Sequence, residues 1–192
     1  MGFVLFGHSF VRRLSGRRRA TVDVELEGGN VPVSCLGEGG LTIGRNKANR
    51  YHYYRMIAQE KPSILIIDLG TNDLCTVSVT PKCVCDMLCN FVRDLPKHGI
   101  KPSVVVFLPV LPRTGNMRQG QVPVSEFNEK ADVFNELLGA EIMREDLWWV
   151  WHHRGLKHPR YNLDGVHLDQ LGMNQYQRTI RQIVKYFERR CW

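Results

Sequence analysis

The chain has 192 residues, of which 43% are hydrophobic and 23% are charged, and a formal net charge of +7. That length and composition suit one globular domain with a sizeable buried core, and they exclude a fibrous or a disordered chain. The sequence holds no apolar run near the roughly 18 residues of a membrane-spanning helix, and no signal-peptide pattern at its start. We therefore expect residues 1–192 to form a single domain that is intracellular and cytoplasmic.

Five short apolar runs predict buried β-strands: Phe3–Gly7, Val31–Leu36, Ile64–Leu69, Val104–Leu108 and Leu147–Trp151. Helical patterns alternate with these runs at Phe10–Leu14, Ile43–Glu60, Pro81–His98, Ser125–Arg144 and Asp169–Arg190. Because the apolar runs are nearly continuous, the strands should be covered on both faces. The alternation predicts an α/β fold with a central parallel sheet of about five strands and helices on both sides. A further edge strand is expected around Val22–Leu26.

The cysteines and histidines do not form a recognisable metal-binding pattern. The six cysteines are Cys35, Cys75, Cys83, Cys85, Cys89 and Cys191. A secreted disulfide scaffold would be shorter and richer in cysteine, so we expect free thiols. Three of the cysteines share one predicted helix, but no second paired cluster completes a zinc site. The sequence therefore predicts neither a metal nor an organic cofactor.

Polar residues and glycines follow three of the predicted strands. The strands lead into Gly7-His8-Ser9, Gly37-Glu38-Gly39-Gly40 and Gly70-Thr71-Asn72-Asp73, and Asp164-Gly165-Val166-His167 follows far downstream. The carboxyl ends of parallel strands meet at one edge of the sheet, which is where open α/β sheets bind ligands. The long loop Pro109–Val124 follows the fourth strand and is expected at the same edge.

These residue types are the ones that acyl transfer needs. Ser9 would attack a carbonyl carbon, and His167 would take its proton and later protonate the leaving group. Asp164, three residues before His167, would hold the imidazole in the required tautomer. The backbone N–H groups of Ser9 and Gly40 and the side chain of Asn72 are candidate donors to the oxyanion.

In this order and over nearly the whole chain, the four blocks resemble those of the SGNH, or GDSL, hydrolase superfamily. Ser9, Gly40, Asn72 and His167 match its four namesake positions, and Asp164 matches the acid of its triad. The resemblance implies a flavodoxin-like three-layer α/β/α sandwich and a serine esterase for a small ester or lipid substrate with a short acyl chain. At position 8 this chain has histidine where the common pattern has aspartate, and we expect the triad to be retained.

A narrower resemblance is carried by the strings FGHSFVRRL, GEGGLTI and DLGTNDL. They look like the esterase domains in the first-open-reading-frame proteins of LINE-type retrotransposons and in related animal proteins. In that group the esterase domain lies beside coiled-coil or RNA-binding segments.

Each motif also has a purely structural interpretation. Ser9 could cap a helix, Asn72 and Asp73 favour turns, and Asp164-Gly165 is a common turn dipeptide. Asp73 in particular is expected to bond backbone around the catalytic loop. Two functional alternatives also remain open. One is a catalytically weak module of the same fold that binds anionic lipid or nucleic acid, and the other is an acyltransferase that uses the same triad.

Basic residues form two clusters, and their net effect favours anionic partners. The clusters are Arg12, Arg13, Arg17, Arg18 and Arg19, and, on the last predicted helix, Arg178, Arg181, Lys185, Arg189 and Arg190. They are either solvated faces opposite the core or a footprint for an anionic membrane surface or nonspecific nucleic acid. Aromatic residues are not interleaved with them, which argues against base stacking. The sequence leaves the oligomeric state open.

Overall fold

The computed structural model describes residues 1–43, 47–115, 121–156 and 159–190, without the side chains of residues 47–49. The strands are β1 (Phe3–Gly7), β2 (Arg19–Leu26), β3 (Gly29–Gly37), β4 (Ile64–Asp68), β5 (Val104–Phe107) and β6 (Trp148–Val150). The helices are α1 (Ser9–Ser15), α2 (Lys47–Glu60), α3 (Thr71–Leu74), α4 (Pro81–Arg93), α5 (Val124–Ile142) and α6 (Gln170–Glu188), with a short 3-10 helix at Leu95–His98.

The strands form one sheet in the order β2-β3-β1-β4-β5-β6. The five strands from β3 to β6 in this order are parallel, and β2 pairs antiparallel with β3 as an edge hairpin. From β1 the chain passes through α1 and β2 to β3, which lies on one side of β1. It then continues to β4, which lies on the other side of β1. Strand order therefore reverses at β1, and the crevice beyond its carboxyl end is where such sheets bind ligands. The predicted α/β/α sandwich is confirmed, with a sixth, antiparallel strand at its edge.

Two hydrophobic cores lie on opposite faces of the sheet, because side chains alternate along each strand. Val4 and Phe6 of β1 belong to one core, which α2, α4 and α5 cover. Phe3 and Leu5 belong to the other, which α1 and α6 cover. All five residues of β1 and of β4 are buried, as their continuous apolar runs predict.

The predicted helix Pro81–His98 is divided in two. Thr80 caps α4 by accepting a hydrogen bond from the N–H of Cys83 at 3.2 Å, and Pro81 occupies the first helical position. Pro96 has no N–H for continued α-helical bonding, so the last part forms a 3-10 helix that ends at Gly99 with φ of 73°. The predicted start of the second helix at Ile43 was wrong as far as the structure describes it: Ile43 is not helical, residues 44–46 lie outside the described ranges, and α2 is described from Lys47.

The strand at the far edge is shorter and more open than predicted. The expected buried strand Leu147–Trp151 is reduced to Trp148–Val150, and Trp149 is 39% exposed. The reason is that β6 pairs only with β5, and its outer edge has no further strand. None of the helices in the described ranges combines the length and the hydropathy needed to cross a membrane.

Candidate active site

Ser9 lies at the junction of β1 and α1, beyond the carboxyl end of the central strand where the strand order reverses. It is the first residue of α1, so its backbone N–H lies outside the hydrogen bonds of the helix. The junction packs tightly against both neighbouring strands. A Cβ at Gly7 would lie 2.6 Å from the carbonyl oxygen of Asp68, and a Cβ at Gly37 would lie 2.3 Å from the backbone nitrogen of Arg12. Glycine at these two positions therefore lets the turn that carries Ser9 lie directly on the sheet edge.

Asp164 and His167 form a close pair. Nδ1 of His167 lies 2.6 Å from Oδ2 of Asp164, while Oδ1 of Asp164 accepts the backbone N–H groups of Val166 and His167, each at 2.9 Å. Desolvation acts to raise the pKa of Asp164, but these hydrogen bonds outweigh it and lower the pKa to about 2. An ionised carboxylate on Nδ1 leaves Nε2 of His167 as the nitrogen able to act as a base.

The turn that carries this pair is held by the loop that follows β5. Gly165 adopts φ of 62°, and its carbonyl oxygen accepts the N–H groups of Thr114 at 2.9 Å and Gly115 at 3.1 Å. The two backbones are so close that a Cβ at Gly115 would lie 2.2 Å from the carbonyl oxygen of Asp164. The loop was expected at this edge, but no sequence motif singled out Thr114 or Gly115. Residues 116–120 of the predicted loop lie outside the described ranges.

Ser9 and His167 come from segments that pack against each other. Leu168 shares a buried cluster with Phe10, the residue after Ser9. Leu14 of α1 and Leu168 also line the same surface cleft, which has a volume of about 520 Å³. Within the described residues, the Ser9 hydroxyl contacts the ring of His8, and the His167 ring contacts Asp164. The hydrogen bonds of these described residues do not include one between Ser9 and His167.

The side chain of Asn72 links the second and third sequence blocks. It lies on α3 and donates a 2.9 Å hydrogen bond to the carbonyl oxygen of Leu41, the residue after Gly40. A side-chain amide has two N–H donors, so this bond leaves one available. Gly40 is exposed with φ of 75°, a conformation that favours glycine. Asp73 accepts the N–H of Ile43 at 3.0 Å, which confirms its predicted structural role.

A buried polar chain that the sequence did not predict runs beneath Ser9. Nδ1 of His8 lies 3.4 Å from the Ser9 hydroxyl, and Nε2 of His8 lies 3.1 Å from Oδ1 of Asp68. The hydroxyl of Tyr176 on α6 donates to Oδ2 of Asp68 at 2.7 Å. Burial alone would raise the pKa of Asp68, but the neighbouring imidazole of His8 and the hydroxyl of Tyr176 outweigh it and lower the pKa below its usual value. One sequence signal could have indicated this chain of contacts: Asp68 is a carboxylate at the end of the apolar strand β4, which pairs with the strand before Ser9.

The two basic clusters differ in their surroundings. Arg19 pairs with Glu60, and on α6 Lys185 and Arg189 pair with Glu27 at 3.3 and 3.0 Å. The remaining arginines of the first cluster are exposed and form no ion pair within the described residues: Arg12, Arg13, Arg17 and Arg18. Over the same described ranges, no group of three histidine, cysteine or acidic side chains is placed to hold a metal ion.

No model of a known protein family matches the chain. The chain is 29% identical over 94 residues to "Uncharacterized lipoprotein YqeF" of Bacillus subtilis (strain 168), a match that spans 46% of this chain and 37% of that protein.

Solved structures resemble the whole fold. A carbohydrate acetylesterase family member from Sinorhizobium meliloti matches with a TM-score of 0.71 at 14% identity, covering 97% of this chain and 98% of that one. A GDSL-like lipase from Bacteroides thetaiotaomicron VPI-5482 matches with a TM-score of 0.65 at 15% identity, covering 96% and 87%. A lipase/acylhydrolase from Enterococcus faecalis matches with a TM-score of 0.63 at 16% identity, covering 96% of each chain. The chain therefore has the α/β/α fold of GDSL-like lipases and acetylesterases.

Proposed function

We propose that this protein hydrolyses carboxylic esters through an acyl intermediate on Ser9. The observation that carries the proposal is the 2.6 Å contact between Asp164 and His167, next to Leu168, which shares a buried cluster with Phe10 beside Ser9. The fold, which is that of proteins described as lipases, acylhydrolases and acetylesterases, supports the same reaction class.

In the first half of the reaction, Nε2 of His167 takes the hydroxyl proton of Ser9 as the serine oxygen attacks the ester carbonyl. The ionised Asp164 stabilises the imidazolium that forms. The negative charge on the carbonyl oxygen is stabilised by the N–H groups of Ser9 and Gly40 and by the side chain of Asn72. When the tetrahedral intermediate collapses, the bond to the leaving oxygen breaks and His167 returns its proton to that oxygen.

In the second half, water replaces the alcohol. His167 takes a proton from the water as its oxygen attacks the acyl carbon, and it then returns the proton to Ser9 as the acid product leaves. No step needs a metal or an organic cofactor. We propose a small ester with a short acyl chain as substrate, which accords with the acetylesterases among proteins of this fold.

The test is hydrolysis of a p-nitrophenyl ester series from acetate to long chains, with the wild type and the variants Ser9→Ala and His167→Ala. Ser15→Ala, at the other end of α1, and His52→Ala, on the exposed side of α2, are matched controls. Turnover that both site variants lower by at least about 1,000-fold and both controls retain is the expected result. Absence of turnover on every chain length by the folded wild type contradicts the proposal.

An acyltransferase with the same triad is a second candidate, because the acyl-enzyme is common to both reactions. Product analysis in the presence of alcohol acceptors separates the two. Hydrolysis yields only the free acid, whereas a transferase yields the new ester even when water is in large excess.

A further inference from the structure

Among the described residues, His167 pairs closely with Asp164 and His8 with Asp68, and the pair that contacts Ser9 is outside the predicted triad. The Ser9 hydroxyl lies 3.4 Å from Nδ1 of His8. That separation is long for a hydrogen bond, but catalytic hydrogen bonds are often long before substrate binds and tighten in the complex.

The surroundings of His8 determine which ring nitrogen carries its proton. Oδ1 of Asp68 lies 3.1 Å from Nε2, and Oδ2 of Asp68 is occupied by the hydroxyl of Tyr176. An ionised carboxylate beside Nε2 favours a proton on that nitrogen, although the N–H is not aligned well enough for a full hydrogen bond. Nδ1 is then unprotonated and can accept the hydroxyl proton of Ser9.

His8 lies in a buried environment beside the carboxylate of Asp68. His8 is 2% exposed, Asp68 is 3% exposed and Tyr176 is 1% exposed. The ring of Phe10 on α1 lies 4.7 Å from the His8 ring. His153, which follows β6, is the other titratable group of the described residues that acts on Asp68, and burial lowers its pKa to about 4, so it is neutral near pH 7. An imidazolium formed at His8 is therefore stabilised by Asp68 alone.

We propose that His8 is a second base for Ser9, oriented by the buried pair Asp68 and Tyr176. This inference rests on the proposed role of Ser9 as nucleophile. The proton of the Ser9 hydroxyl passes to Nδ1 of His8 as the Ser9 oxygen bonds to the acyl carbon. When the leaving C–O bond breaks, the imidazolium returns that proton to the departing oxygen. Water repeats the same exchange in deacylation, so His8 sustains turnover when His167 is absent.

The test uses initial rates on p-nitrophenyl acetate in the His167→Ala background. His167→Ala should retain a rate above that of the double variant Ser9→Ala/His167→Ala. Adding His8→Asn to His167→Ala should lower this remaining rate by about 100-fold or more, the usual contribution of a general base. Adding His8→Asn to Ser9→Ala should change nothing. His52→Asn in the His167→Ala background is the control and should also change nothing.

The pH profile distinguishes a base from a structural residue. The remaining rate of His167→Ala should rise with pH along one ionisation limb, and that limb should disappear when His8→Asn is added. If His167→Ala has no rate dependent on Ser9, or if His8→Asn leaves that rate unchanged in a folded protein, the second base does not exist. A wild type without turnover, or with turnover that Ser9→Ala retains, contradicts the proposed function itself.

A spectroscopic measurement covers the case in which His8→Asn fails to fold. In wild-type protein labelled with ¹⁵N-histidine, the His8 ring should carry its proton on Nε2 and not on Nδ1, and its Nδ1 shift should change in Ser9→Ala. A proton on Nδ1 overturns the proposal, because that nitrogen could not then accept from Ser9.

Discussion

Asn72 donates a 2.9 Å hydrogen bond to the carbonyl oxygen of Leu41, and so joins the loop after β3 to the short helix after β4. The loop contains Gly40 and the helix contains Asn72, the two residues that we propose as oxyanion donors beside Ser9. The link is a single hydrogen bond. We therefore expect removal of the amide to lower the reaction rate more than the free energy of unfolding.

Asn72→Ala should lower kcat by about 100- to 1,000-fold, the usual cost of losing one oxyanion donor, with a much smaller effect on KM. Steady-state kinetics on a short-chain ester measures both constants. Asn90→Ala, on the exposed face of α4, is the control and should leave kcat unchanged. A loss confined to KM would contradict a role in stabilising the transition state.

Gly115→Ala should disturb the Asp164–His167 turn. The added Cβ would lie 2.2 Å from the carbonyl oxygen of Asp164, a distance that requires the two backbones to separate. We expect a loss of about 1–3 kcal/mol in the free energy of unfolding, together with a large loss of esterase rate. Gly139→Ala on α5 is the matched control, since a Cβ there meets nothing within 4 Å. It should stabilise the protein by about 0.5–1 kcal/mol, as alanine is the better helix former. Urea unfolding and ester hydrolysis measure both effects.

Asp164→Asn should lower kcat by about 1,000- to 10,000-fold, because an amide cannot stabilise the imidazolium of His167 and favours the wrong tautomer. The variant should fold, since the asparagine side-chain oxygen can still accept a backbone N–H. Circular dichroism checks the fold and single-turnover kinetics checks the rate. Activity within tenfold of wild type would assign the orienting role to a different carboxylate, with Asp68 as the next candidate.

His153 should make the protein less stable in mild acid. Burial lowers its pKa to about 4 from 6.5, so the unfolded chain binds the proton more readily than the folded one. Its contribution to stability is therefore complete above pH 6.5 and declines as the pH falls towards 4. Between pH 7 and pH 4.5 the free energy of unfolding should fall by about 2 kcal/mol from this residue. Urea titrations should show a smaller fall in His153→Gln and an unchanged fall in His52→Gln, an exposed histidine on α2.

The unpaired arginines of the first basic cluster should give weak, salt-sensitive binding to anionic surfaces. We expect the quadruple variant of Arg12, Arg13, Arg17 and Arg18 to glutamine to lose sedimentation with vesicles rich in phosphatidylserine. Lys185→Gln/Arg189→Gln should change it less, because the carboxylate of Glu27 pairs with both side chains and offsets part of their charge. Binding that persists at about 0.5 M salt would contradict an electrostatic origin. Homopolymeric RNA as a second probe separates a preference for lipid from a preference for nucleic acid.

The sequence predicted the layers of the fold well because buried parallel strands have nearly continuous apolar sequences. β1 was predicted with its observed bounds, and the other predicted strands were correct to within a few residues. The exposure of the edge strand was harder to predict. An apolar run over Leu147–Trp151 predicts a buried strand near one edge of the sheet, but within the described residues β6 pairs with β5 alone and is partly open.

Within the candidate site, contacts between residues close in sequence were easier to predict than contacts between distant ones. Asp164 and His167 are three residues apart, and their contact follows from one turn. Asp68 and Tyr176 are 108 residues apart, and nothing in either segment indicates the other. The backbone contact between Gly115 and Asp164 is equally non-local. Cellular location and oligomeric state stay predictions or open questions, since neither depends on these contacts.

The hydrogen bond between Tyr176 and Asp68 has a consequence for how activity arises during synthesis. At about 5–20 residues per second, the strands that flank Ser9 leave the ribosome several seconds before α6 does. Until α6 packs on the sheet, the carboxylate of Asp68 lacks the hydroxyl donor of Tyr176. The turn of Asp164 and His167, which precedes α6, is not yet followed by a packed helix. A nascent chain that already contains Ser9 should therefore be unable to cleave esters. On the proposed function, activity should begin only when α6 packs.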